Sequence, residues 1–134
     1  MLTAIAAGGV VGAEARYGLS TWWPNDPGHW PGATFVINVS GSLLLGALMV
    51  VLTELRSAPR LARPFLGVGV LGGFTTFSTA MVDVHEMLMA GRPTVAMAYL
   101  LGSAAAALAG VTAGSSVVRL LASTRRSRGS RGGT

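Results

Sequence analysis

The sequence predicts an all-α membrane protein with four transmembrane helices, the third of them broken near mid-membrane. Three observations carry this reading. Of 134 residues, 51% are hydrophobic and 11% charged, where a soluble surface needs roughly a quarter or more of its positions charged. Four apolar stretches, at about 2–22, 33–53, 64–90 and 94–121, are separated by short segments containing Pro, Gly or Arg. Each can span, since a crossing takes roughly 20 mostly apolar residues. The third stretch holds adjacent glycines followed by hydroxyl-bearing and β-branched residues, poor material for a continuous helix.

The first stretch, apolar from Met1 to Val11, lacks a basic segment ahead of it and runs past any plausible cleavage site. It is read as a retained helix rather than a signal peptide. Its Gly8 and Gly12 have the small-residue spacing that suits helix contact. Trp22, Trp23 and Trp30 flank the loop Pro24-Asn25-Asp26-Pro27-Gly28, which places indoles at one headgroup layer. Arg56, Arg60 and Arg63, with Pro59 and Pro64, mark the second connection and the opposite layer.

The net charge of +5 comes entirely from arginine on the basic side, and its placement matters more than its sum. Four spans put the N-terminus, the second connection and the C-terminus on one side. Arg56, Arg60, Arg63, Arg119, Arg125, Arg126, Arg128 and Arg131 lie there, against Arg92 and at most Arg16 on the other. The positive-inside rule then sets both termini in the cytoplasm of a multi-pass plasma-membrane protein. Residues 1–122 form one membrane domain. Residues 123–134, mostly Arg, Ser, Gly and Thr, read as a disordered tail whose charge acts beside anionic lipid rather than on nucleic acid. With no cysteine, disulfides, thiolate metal sites and a cysteine nucleophile are excluded.

Polar groups inside the apolar stretches point to function, because in hydrocarbon they must face a neighbouring helix or a water-filled path. In the second stretch Thr34, Asn38 and Ser42 recur every four residues and share one helix face, with Gly41 beside them. Asn38 stands out, since a carboxamide brings two donors and an acceptor that all need partners. In the fourth stretch Tyr99 and Ser103 are four apart, and Gly102, Ala106, Gly110 and Gly114 make a small-residue stripe suited to close helix contact. The third stretch carries Gly72-Gly73-Phe74-Thr75-Thr76-Phe77-Ser78-Thr79. A break there frees carbonyls and amides that lipid cannot satisfy, so protein, water or an ion must complete them.

Taken in order, these motifs resemble the Fluc/CrcB family of fluoride channels, small four-helix proteins that assemble as antiparallel dimers. The resemblance covers nearly the whole chain: Gly8-Gly9-Val10-Val11-Gly12-Ala13 with Arg16-Tyr17, then Thr34 with Asn38 and Gly41-Ser42, then the Gly-Gly-Phe-Thr-Thr-Phe-Ser-Thr core, then Tyr99 and Ser103. It implies passive, fluoride-selective conduction that lowers cytoplasmic fluoride. It implies a structural Na+ at the dimer centre, held by the Gly72 and Thr75 carbonyls. It makes Phe77 one of two ring-edge residues on each fluoride path and Asn38 a donor to fluoride. Thr34, Ser78, Tyr99 and Ser103 would lie along or near the same polar track, and Arg16 toward a vestibule.

Three positions depart from the family. Ala80 stands where a second core phenylalanine is expected, Asp83 where a glutamate is usual, and Ala33 where a glycine precedes the second-span threonine. Ala80 and the arginine imbalance together suggest a heterodimer with an oppositely oriented paralogue that supplies the missing ring. Two other readings compete: a proton-coupled small multidrug exporter using Glu14, and a poorly conducting partner subunit. No enzyme is read, because neither His29 nor His85 has a nucleophile or metal-ligand set beside it.

Overall fold

The computed structural model describes residues 1–55 and 59–131. Arg56 of the second connection, and the last three residues of the expected tail, lie outside the described residues. Helix α1 spans Leu2–Trp22. Helix α2 spans Gly32–Val50 and continues as a wide π-helical turn over Val51–Leu55. The third apolar stretch begins π-wound over Arg63–Leu71, passes into the short α3 (Gly72–Phe74), and resumes as α4 (Phe77–Met89). Helix α5 spans Pro93–Arg131.

Local chemistry explains the connections. Pro24, Pro27 and Pro31 stop helix formation between α1 and α2. Asn25 then turns back and accepts the Ala33 N–H through Oδ1 at 3.0 Å, which satisfies an early amide of α2. Between α4 and α5, Gly91 takes φ +71°, a conformation that a Cβ would oppose. It allows the Gly91 N–H to reach the Leu88 carbonyl at 3.0 Å and the Arg92 N–H to reach that of Met87 at 2.9 Å, closing α4. Pro93 follows at the first position of α5, where its missing N–H is no loss.

Among the described residues, three helical segments are long and apolar enough to cross a membrane: Gly32–Glu54, Arg63–Met89 and Pro93–Thr124. The sequence reading expected four. Helix α1 has the length, at 21 residues, but Glu14, Arg16 and its hydroxyl and glycine positions dilute its hydropathy. Helix α5, the fourth expected span, also exceeds its expected limit of 121: its 39 residues extend about 58 Å at 1.5 Å per residue. Its backbone is helical to Arg131, inside the segment read as disordered. Residues 115–128 contain neither Gly nor Pro, and Ala, Leu and Arg there favour helix.

Helix α2 packs along α5, α1 along Arg63–Phe74, and α4 against α5. Glycine permits both long contacts. A Cβ on Gly114 would collide with the Leu43 carbonyl, and one on Gly8 with that of Phe65. Gly102, in the same sequence stripe as Gly114, has open space beside it, so only the later part of that stripe is a helix contact. Ala80, Met87, Ala96 and Tyr99 form a buried apolar cluster between α4 and α5. Large side chains such as Leu101 and Leu108 remain exposed along α5, as an integral membrane protein requires.

Candidate functional site

Between α3 and α4 the backbone leaves the helix for two residues. Thr75 has ψ 156° and Thr76 has φ −148° and ψ 120°, both extended. Thr76 caps the resumed helix: its Oγ1 accepts the Thr79 N–H at 3.1 Å and donates to Thr79 Oγ1 at 2.9 Å. Thr75 remains tied to the preceding turn, its N–H and its hydroxyl both donating to the Leu71 carbonyl at 3.0 Å.

Asn38 on α2 completes the interruption. Its Nδ2 donates to the Thr76 carbonyl at 2.8 Å, and its Oδ1 accepts the Thr76 N–H at 2.7 Å. The Thr76 N–H fixes which side of the carboxamide is oxygen. An unmatched peptide group in a dry interior would cost about 1–3 kcal/mol per polar atom, and Asn38 matches both atoms. Gly41 lets α2 approach, because a Cβ there would run into the Thr75 Cγ2. The sequence reading placed Asn38 in an ion path and not in a structural role; the structure gives its side chain a structural role, the paired hydrogen bonds to Thr76.

A cleft of about 330 Å³ opens beside this clamp. Five of the residues to which the resemblance gives an ion-path, vestibule or Na+ role meet at it: Asn38, Gly72, Thr75, Phe77 and Ser103, with Ser42, Thr76, Ala80 and Met81 also in its wall. Ser42 Oγ donates to the Asn38 carbonyl at 2.7 Å and Ser103 Oγ to that of Leu100 at 3.1 Å. Those hydroxyls must rotate before they can donate into the cleft. Asn38 has a second Nδ2–H beyond the one that serves Thr76. Phe77 is 75% exposed, its ring standing on the open side of the chain. Among the described residues no cluster of three or more His, Cys, Asp or Glu could hold a metal.

Thr34, Ser78, Tyr99 and Arg16 do not line this cleft. Ser78 is exposed beside it, its Oγ 3.4 Å from Thr76 Oγ1. Thr34 and Tyr99 belong to a second, buried polar cluster nearer the first loop. Tyr99 donates to Asp83 Oδ2 at 3.4 Å, and Asn25 Nδ2 donates to Thr34 Oγ1 at 2.8 Å. Trp30 closes the cluster, its ring edge-on to Tyr99 with centroids 5.4 Å apart. Asn38 and Ser42 thus face the cleft, while Thr34, one turn earlier, faces the loop cluster. Arg16 is half-buried, and its Nε has no hydrogen-bond partner. At the far end of α2, Glu54 receives Arg119 through both carboxylate oxygens, the shortest contact being 2.7 Å.

Sequence reasoning passed over Asn25 and Thr76 as site residues and treated Asp83 only as a departure. Thr76 carried a weak local signal: threonine is a favoured N-cap residue, and this one precedes the resumed helix in a stretch that the Gly72-Gly73 pair already marks as weak helix. Nothing local marks Asn25, whose partners lie eight and nine residues away.

Residues 3–115 match the family described as CrcB-like protein, Camphor Resistance (CrcB). Over 119 residues the chain is 52% identical to the fluoride-specific ion channel FluC 2 of Nocardia farcinica, covering 89% of this chain and 85% of that one. It is 49% identical over 111 residues to the fluoride-specific ion channel FluC 1 of Streptomyces coelicolor, covering 83% and 72%. With the FluC 2 protein of Thermobifida fusca it shares 46% over 119 residues, covering 84% and 88%.

Proposed function

Since the chain belongs to the CrcB-like protein family, we propose that it is a subunit of a fluoride-selective ion channel rather than an enzyme, one that lets cytoplasmic fluoride leave passively across the plasma membrane. The observation that carries this reading is the cleft at the interruption, where Asn38 from α2, Phe77 from α4 and Ser103 from α5 converge.

Fluoride is small and strongly hydrated, so a path selective for it must offer hydrogen-bond donors in place of water. The second Asn38 N–H and the hydroxyls of Ser42 and Ser103 are such donors. The edge of the exposed Phe77 ring carries positive partial charge and can face an anion without holding it as tightly as a buried arginine would. Beyond the cleft, the Ser78 hydroxyl and the Thr34–Tyr99 cluster extend the polar track toward the first loop. Arg16, on α1, is assigned to a vestibule. Glu14, on which a proton-coupled exporter would depend, is exposed on α1 and lies outside the cleft.

The Gly72 and Thr75 carbonyls fit a hard monovalent cation. Gly72 is exposed with open space around its α-carbon, and the extended ψ of Thr75 turns its carbonyl out of the helical direction. A bound Na+ would supply fixed positive charge at the dimer centre, near the anion path. Both chains of an antiparallel dimer would contribute to it.

The assembly we favour is a heterodimer with an oppositely oriented paralogue. Ala80 lies in the cleft wall where the resemblance calls for a second phenylalanine. The arginine bias favours one orientation, with both termini cytoplasmic. Fluoride efflux from liposomes, with chloride as control and with and without the candidate partner, tests the reading. Chloride flux equal to fluoride flux, or no fluoride flux in either preparation, would overturn it.

A further inference from the structure

We propose that the Asn38 carboxamide and the Thr76 hydroxyl are positioning residues that hold open a cation cradle formed by the Gly72 and Thr75 carbonyls. The proposal rests on the Na+ reading above and names the side chains that would build that site.

In a continuous helix each carbonyl accepts the N–H four residues on. The donor for Gly72 would be the Thr76 N–H, and the donor for Thr75 would be the Thr79 N–H. Both are directed elsewhere. The Thr76 N–H goes to Asn38 Oδ1 at 2.7 Å, and the Thr79 N–H goes to Thr76 Oγ1 at 3.1 Å. Two side chains on two different spans thus divert the helical donors of the two carbonyls assigned to the cation. Each diversion is braced. Asn38 Nδ2 holds the Thr76 carbonyl at 2.8 Å, and the Thr76 hydroxyl is oriented by donating to Thr79 Oγ1 at 2.9 Å.

If either device is removed, the freed N–H can return to its helical carbonyl and α4 can lengthen backward through the interruption. The cradle then loses an oxygen without any change in the residues that supply it. Asn38 thereby belongs to two sites: its oxygen and one N–H serve the interruption, and its other N–H remains for an anion.

The test is equilibrium binding of radiolabelled Na+ to the purified protein in its assembled state, comparing Asn38→Ala, Thr76→Val, Thr76→Ser and Thr112→Ala. Loss of one positioning hydrogen bond corresponds to about tenfold weaker Na+ binding, the effect expected for Asn38→Ala and Thr76→Val. Thr76→Ser keeps the hydroxyl and should restore binding. Thr112→Ala removes an exposed hydroxyl on α5 that bonds only to its own helix, at the Leu108 and Ala109 carbonyls, and should leave Na+ binding unchanged. Should Asn38→Ala fail to assemble, the Thr76→Val and Thr76→Ser pair decides alone. Unaltered Na+ affinity in Thr76→Val overturns the positioning role, while absence of Na+ binding by the unsubstituted protein overturns the cation reading itself.

Discussion

The carboxamide of Asn38 and the main chain of Thr76 form a reciprocal pair, Nδ2 to carbonyl at 2.8 Å and N–H to Oδ1 at 2.7 Å, across 38 residues of sequence. It joins α2 to the one place where the third apolar stretch leaves its helix.

Asn38→Asp should abolish fluoride flux while leaving assembly detectable. One carboxylate oxygen still accepts the Thr76 N–H, but the other faces the Thr76 carbonyl, and a negative charge enters an anion path. A loss of flux of at least about hundredfold is expected for two unit charges of like sign sharing a low-dielectric site. Liposome efflux and size-exclusion chromatography report the two effects separately. Normal flux would remove Asn38 from the path.

Two glycines on α5 should respond in opposite ways to the same substitution. Gly114→Ala forces a Cβ into the Leu43 carbonyl, and an overpacked contact of that kind destabilises by about 1–3 kcal/mol. Gly102→Ala meets open space and should stabilise by up to about 1 kcal/mol through helix propensity. Thermal unfolding in detergent compares them, and equal shifts would contradict the α2–α5 contact described above.

Fluoride flux should not require a proton gradient, and Glu14→Gln should conduct like the unsubstituted chain. Dissipating the gradient with an ionophore, at clamped voltage, measures the first. Strict dependence on the gradient, or loss of transport in Glu14→Gln, would favour an exporter.

The arginine imbalance should hold the chain in a single orientation. Single cysteines labelled from one side of the membrane test this, with Ser130→Cys reporting the C-terminal segment. On the loop side Asp26 is the better position, because Asn25 is engaged with Ala33 and Thr34 whereas Asp26 is exposed. Substantial labelling of either site from both sides would defeat the fixed-orientation heterodimer and leave the fluoride assignment standing.

Local chemistry was legible in the chain itself. Hydropathy marks the apolar segments because burial in lipid is a property of composition and length. Gly91 before Pro93 marks a helix end and start, and the run from Gly72 to Thr79 is recognisable as weak helix, because those preferences act within a few residues. The four-residue spacing of Thr34, Asn38 and Ser42 predicts a shared face for the same reason.

What the sequence by itself determined, then, was everything that depends on neighbours along the chain: an all-helical membrane protein, its apolar segments, its charge bias and a polar stripe on α2. Only the tertiary structure decided that Asn38 pairs with Thr76, that Thr34 and Tyr99 turn toward the first loop with Asp83, and that Gly114 is a contact while Gly102 is not. A carboxamide accepts whichever backbone its helix is carried past, and a glycine matters only where another backbone comes close. Both depend on how α2 lies between the interruption and α5, a relation between segments that no local pattern records.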